Sequence, residues 1–144
     1  MISDFQWMSL ALEQANCGAR VSEVPIGAVL VKEGRVIAAA HNQTESEGSF
    51  IAHAEMIVLR EACSQLETKY LEGCELYVTV EPCRMCLAAA QLSRISKIVY
   101  GVSSEKFGAD GSAYHPIAIE KLSDESLSSQ IQALLSDFFR SRRS

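Results

Sequence analysis

Residues 76–102, LYVTVEPCRMCLAAAQLSRISKIVYGV, decide the fold. Leu76 to Val80 is an apolar, β-branched run of the kind that fills a strand covered on both faces. Pro82 follows where the first turn of a helix accepts proline, and Cys83 to Leu92 is rich in alanine. Lys97 to Val102 is again an apolar strand. Strand, helix, strand in that order implies a right-handed crossover joining two parallel strands.

Upstream, Ser3 and Gln6 form a capping box for a first helix, with Phe5, Met8, Leu12 and Ala15 on its apolar stripe and Gly18 as its stop. Ile26 to Val31 and Val36 to Ala40 flank Glu33-Gly34 and read as a hairpin. His41 to Ser49 is polar and reads as a loop. Ile51 to Leu66 reads as a helix with Met56, Leu59, Cys63 and Leu66 inward. Downstream, Ile117 to Leu122 is a short strand. A last helix from about Asp124 turns Leu127, Ile131, Leu134, Leu135 and Phe138 inward. The expected architecture is a three-layer α/β/α fold, a mixed five-stranded sheet with helices on both faces.

The chain has 144 residues, which fits a single domain over 1–144. Hydrophobic residues make up 48% and charged residues 22%, a balance that excludes a disordered or low-complexity role. No apolar run approaches a membrane span, and residues 1–10 lack the basic start of a signal peptide, so a cytoplasmic location is expected. A net charge of −5 argues against broad nucleic-acid binding but leaves room for a local basic patch. Five cysteines in such a chain point to metal or catalysis before disulfides.

Three short pieces carry the chemistry: His53-Ala54-Glu55, Glu81-Pro82-Cys83 and Cys86. Cys83 and Cys86 are three apart at a helix start and share one face, where the positive end of the helix favours thiolate. His53 also sits near a helix start, so two helix N-termini can meet at one zinc ion. A lone C-x-x-C or a lone histidine at a helix start has bland explanations; the whole pattern is far more specific. Cys63 lies about 15 Å along the helix from His53, and Cys74 about 17 Å back along a strand from Cys83. With Cys17 they read as buried small hydrophobes, which leaves three ligands and an open corner, the mark of a catalytic site. Glu55 points away from the ligand face and is placed to relay a proton from water. A first-turn glutamate serving only the helix dipole is the blander reading of it.

His53-Ala54-Glu55 with Pro82-Cys83-x-x-Cys86 resembles the signature of zinc nucleobase and nucleoside deaminases, in the cytidine/deoxycytidylate deaminase superfamily. Residues 23–29 (EVPIGAV), 76–83 (LYVTVEPC) and 134–140 (LLSDFFR) are similar to the bacterial tRNA adenosine deaminases within it, from first helix to C-terminus. The resemblance implies a cytidine deaminase-like fold and one zinc per subunit held by His53, Cys83 and Cys86. It implies zinc-bound hydroxide attacking C6 of a flipped-out adenosine at the wobble position, with Glu55 shuttling protons to give inosine. It also implies base contacts from Asn42, an apolar wall at Val24 and Pro25, a backbone contact at Ala54, and a homodimer. Phe139, Arg140, Arg142 and Arg143 would clamp a tRNA anticodon stem-loop; cations at a helix end also serve its dipole without any ligand. Neither DNA nor membrane is an expected partner. Two departures are local: the connection Ala113 to Ala118 is shorter than the family's, and Ser104 stands where the family often has aspartate. His115 carries no assigned role. The rival readings are a zinc deaminase of a free base or nucleoside (cytosine, guanine or cytidine), and a silent zinc-binding partner subunit, against which Glu55 speaks.

Overall fold

The computed structural model describes residues 3–104 and 117–142. Five strands form one sheet: β1 (Gly27–Lys32), β2 (Arg35–His41), β3 (Cys74–Val80), β4 (Lys97–Val102) and β5 (Ala118–Lys121), in the spatial order β2-β1-β3-β4-β5. β1 is antiparallel to β2 and β3, whereas β3, β4 and β5 run parallel. The helices are α1 (Asp4–Arg20), α2 (Thr44–Glu47), α3 (Ala54–Leu66), α4 (Arg84–Leu92) and α5 (Glu125–Ser141). The hairpin turns on Glu33 and Gly34, both at positive φ (52° and 73°), the two-residue turn whose twist matches its strands.

Side-chain alternation splits the core in two. Ala28, Leu30, Leu76, Val78 and Ile98 point to one face, where α3 contributes Val58, Leu59 and Ala62 and α4 contributes Leu87 and Ala90. Val29, Val31, Tyr77 and Val99 point to the other, against Met8, Ala11, Leu12 and Ala15 of α1 and Leu127 and Ile131 of α5. A sheet covered on both faces needs apolar residues at successive positions, which is why β1 and β3 read as unbroken apolar runs. The expected three layers are therefore present.

Several local expectations are corrected. Gly18 lies inside α1, not at its end; it lets the helix rest on His41, whose Cβ would be 3.2 Å from a Cβ at residue 18. Phe5, expected on the apolar stripe, is exposed, whereas Trp7, which was not, is buried in the core. The His41–Ser49 stretch contains α2, held by tertiary hydrogen bonds that no local pattern announces. α3 begins at Ala54 because residues 51–53 engage their backbone groups in turns: His53 N–H donates to the Ile51 carbonyl, and the Ala52 carbonyl accepts from Gln43. Its buried face is Ala54, Glu55, Val58, Leu59 and Ala62, about one residue out of phase with the face expected. Pro82 precedes the N-cap of α4 instead of opening the helix. Leu134 and Leu135 pack against the core as expected, though only half-buried, and Phe138 is half-buried as well; Cys17 is exposed and Cys63 half-buried, not buried. Arg143, His115 and most of the short connection before β5 lie outside the described residues.

Two glycines mark where helices press on the sheet. A Cβ on Gly27 would overlap the Ala11 carbonyl oxygen and lie 2.6 Å from the Ala15 nitrogen; one on Gly101 would collide with Ile131 and lie 2.7 Å from the Thr79 carbonyl. At Gly27 the neighbour is helix backbone, which cannot turn aside. Gly27→Ala is expected to cost about 3 kcal/mol, the upper end for overpacking, a fall in Tm of about 6–12 °C. Gly34→Ala, strained only by its positive φ with open space around it, should cost about 1–2 kcal/mol. Thermal unfolding of the two variants checks this; equal losses would mean that α1 can move off β1.

Candidate active site

Two helices begin against one another at the carboxyl ends of the central strands. His53 is the N-cap of α3 and Cys83 the N-cap of α4, each in extended backbone (φ −72°, ψ 149° and φ −71°, ψ 174°). An N-cap side chain usually turns back onto its own helix; neither of these does so. They face each other instead. His53 Nδ1 lies 3.6 Å from Cys83 Sγ and 3.4 Å from Cys86 Sγ, Cys86 standing at the third position of α4. Ligand atoms about 2.3 Å (sulfur) and 2.05 Å (nitrogen) from one tetrahedral zinc would be separated by about 3.5 Å. The donor set and its spacing thus fit zinc. Among the described residues this trio forms a His–Cys–Cys metal site of the kind zinc deaminases use.

The electrostatics prepare it. The bond from Cys86, then that to His53, hold the Cys83 thiol down to about 3, well below the ordinary thiol range. Cys86 is pushed up by that same bond and by burial. Hydrogen bonding to Cys83 raises His53 above its ordinary value. Glu55 is buried, 4% exposed, and burial drives its carboxyl up to about 7 against the pull of its own backbone N–H and of His53. It lies within reach of the Cys86 thiol and outside the ligand trio.

A cavity of about 270 Å³ opens beside the trio, lined by Ile26, Asn42, His53, Glu55, Val80, Glu81, Cys83 and Ser104. Asn42, 6% exposed, is held from both ends: its N–H donates to the Ile26 carbonyl (3.1 Å), and its Oδ1 accepts from Ala54 N–H (2.8 Å). The Ala54 N–H is therefore committed to Asn42. Glu81 Oε1 accepts from Ser104 N–H (3.0 Å), tying the end of β4 to the turn that carries Cys83.

The structure brings His53, Glu55, Cys83, Cys86 and Asn42 together around this cavity. Val24 faces a second, larger groove of about 500 Å³, shared with Val21, Ser22, Phe138, Phe139 and Arg142, and Pro25 is buried behind it. Phe139 is exposed there. Arg142 donates to the Ser22 carbonyl (3.0 Å) and covers the Phe138 ring (4.3 Å), while Arg140 pairs with Asp137 at 3.5 Å, both exposed. Ile26, Val80 and Glu81 complete the cavity; the sequence named Glu81 beside Cys83, but nothing local marked Ile26 or Val80 as cavity walls. Glu23, a single acid ahead of an apolar strand, is wholly buried, a signal that the charge pattern did offer.

Comparison with known proteins agrees with this geometry. The chain is 43% identical over 149 residues to the tRNA-specific adenosine deaminase of Bacillus subtilis, spanning 99% of this chain and 92% of that one. It is 48% identical over 109 residues to the enzyme so named from Aquifex aeolicus, covering 76% and 72%. Its fold matches a structure from a study of A-to-I editing by tRNA:A34 deaminases at the wobble position with a TM-score of 0.82 and 40% identity, over 88% of this chain and 99% of that chain. A guanine deaminase from Bacillus subtilis matches with a TM-score of 0.69 and 26% identity, over 92% and 93%. Residues 2–143 fit the model of the MafB19-like deaminases, and with the metal trio in place the chain belongs to that family, alongside the tRNA-specific adenosine deaminases.

Proposed function

We propose that this protein hydrolytically deaminates adenosine to inosine at the wobble position of a tRNA anticodon. The observation that carries the reading is a buried acid, Glu55, set beside a His–Cys–Cys trio at a cavity with room for one base. The relatives supply the substrate class: the tRNA-specific deaminases match over most of their own length. His53, Cys83 and Cys86 would hold one zinc per subunit, which when bound lowers the pKa of a coordinated water to about 7 and supplies hydroxide at neutral pH.

The chain's own residues do the rest. Glu55 takes the proton of the attacking water and passes it to ring N1 as the oxygen bonds to C6. It then transfers the second proton to the exocyclic nitrogen, so that the C6–N bond breaks with loss of ammonia. With Oδ1 engaged by Ala54, Asn42 has its NH₂ to offer an acceptor on the purine. Ile26 and Val80 supply apolar walls. Val24 would form an outer wall near the mouth, with Pro25 behind it, and Ala54 would act through Asn42. The tail residues Phe139, Arg140, Arg142 and Arg143 would hold the stem-loop. A homodimer is part of the reading; exposed Phe50, Ile51 and Leu92 around the start of α3 and the end of α4 offer apolar surface for it. Among the described residues no helix is long and apolar enough to cross a membrane.

The deciding assay offers the zinc-loaded protein an anticodon stem-loop carrying the wobble adenosine, and separately free guanine and cytosine. Inosine in the stem-loop is expected; turnover of free bases alone would make this a small-molecule deaminase. Two variants separate metal from proton transfer. Cys83→Ser should lose zinc by metal analysis, since a neutral hydroxyl is a poor ligand beside a thiolate. Glu55→Ala should keep zinc and lose about 10²–10⁴-fold in turnover.

The tail is tested by salt. Changing Arg140, Arg142 and Arg143 together to alanine should weaken stem-loop binding and flatten its salt dependence. The slope should fall by about 0.7 for each single-strand phosphate that the arginines neutralise. Binding measured at several salt concentrations checks this. An unchanged slope would leave these arginines to the helix dipole and to their partners within the chain.

A further inference from the structure

Among the described residues, one buried charge lies outside the metal trio and its cavity. Glu23 has no exposed surface. Its carboxylate accepts from Glu45 N–H through Oε1 (3.0 Å) and from Ser46 N–H through Oε2 (2.7 Å). Burial alone would raise its pKa, but these donors and the neighbouring His41 hold the carboxyl below its ordinary value of 4.5. Burying a carboxylate is costly unless its oxygens are met, and here both are.

The donors belong to α2, a helix of four residues. One turn has no stability of its own, because fixing its backbone yields a single intrahelical bond. Its N-cap, Gln43, makes no capping bond with its side chain. The N–H groups that open that turn are instead met from 22 residues away, by Glu23. Glu23 is itself fixed, its N–H donating to the carbonyl of Gly18 in the last turn of α1 (2.9 Å). The carboxylate therefore fastens two segments together. One runs from Glu23 to Ile26 and the other from Asn42 to Ser46. Each supplies a wall of the cavity, Ile26 and Asn42. The direct bond from Asn42 N–H to the Ile26 carbonyl closes the pair at the cavity itself, and the Glu23 bonds close it one turn further out.

We propose that Glu23 is a positioning residue: by clamping the α2 turn onto the α1–β1 connection it fixes the Asn42 amide in the base cavity. This rests on the reading of Asn42 as the base-binding residue of the deaminase. It does not place Glu23 in contact with substrate.

The test is a double-mutant cycle on the zinc-loaded protein with Glu23→Gln, Asn42→Ala and the pair. Glu23→Gln keeps the shape but sets an amide NH₂ against an N–H donor. It is expected to lower kcat/KM on the anticodon stem-loop by about 10- to 100-fold, mostly in kcat, as misplacement of a bound group does. In the Asn42→Ala background the same change should cost less than about twofold, because the residue it positions is gone. Zinc content should stay stoichiometric. Independently of activity, the Asn42 side-chain NH₂ resonance should move in Glu23→Gln, and the Glu45 and Ser46 amides should lose protection from exchange. Additive losses in the cycle, or an Asn42 resonance that stays in place, would overturn the proposal. A wild-type protein that forms no inosine would instead overturn the deaminase reading, and the resonance and exchange data then decide Glu23 alone. Should Glu23→Gln not fold, Glu23→Asp, which keeps the charge and loses one methylene of reach, goes through the same measurements.

Discussion

Everything at the site hangs on two helices that start facing one another. His53 and Cys83 each occupy the half-turn before a helix, where a side chain is free to leave the helix axis. Because α3 and α4 cover the same face of the sheet, the two caps are brought within 3.6 Å. Cys86 follows one turn into α4, and Glu55 one residue past Ala54, the first of α3, so the metal trio and the buried acid beside it are set by register alone. The positive ends of both helices then favour the negative charge of thiolate and carboxylate. A shift of either helix by one residue would disperse the whole group.

The sheet supplies the rigidity that this arrangement needs. β3 is central, antiparallel to β1 and parallel to β4, and buried on both faces. Its carboxyl end delivers Glu81, Pro82 and Cys83 in succession, and the Glu81 bond to Ser104 ties that turn to the end of β4. At the opposite end of the strands, Tyr77 donates to Asp4 at 2.7 Å, and Lys97 lies 3.5 Å from both Asp4 and Glu120, which pins the start of α1. These exposed or half-exposed ion pairs add little energy individually; the apolar layers on either side hold the fold.

How much of this is legible in the sequence follows from how local each signal is. The ligands and Glu55 sit in short segments with fixed spacing, so the pattern itself names them. The strands are legible because double burial leaves continuous apolar runs. The face of α3 misleads because the charged Glu55 occupies a core position while Ala54 and Ala62 contribute little hydropathy. Gly18 reads as a stop because glycine so often is one; only the packing of His41 against it explains a glycine within a helix. α2 and Glu23 depend on bonds across 22 and 23 residues, beyond any window of periodicity. The cavity wall is the least legible part, since Ile26, Val80 and Ser104 meet only after folding.

The bond from Arg142 to the Ser22 carbonyl has a practical side. Ser22 stands at φ 65°, a strained turn for a non-glycine residue, and it is the immediate neighbour of Glu23. The end of α5 thus leans on the same turn that carries Glu23. A truncation series from the C-terminus therefore also disturbs this turn. Once Arg142 is removed, the turn loses an outer prop, and differences in base preference between long and short versions of the chain report on both ends of that bond at once.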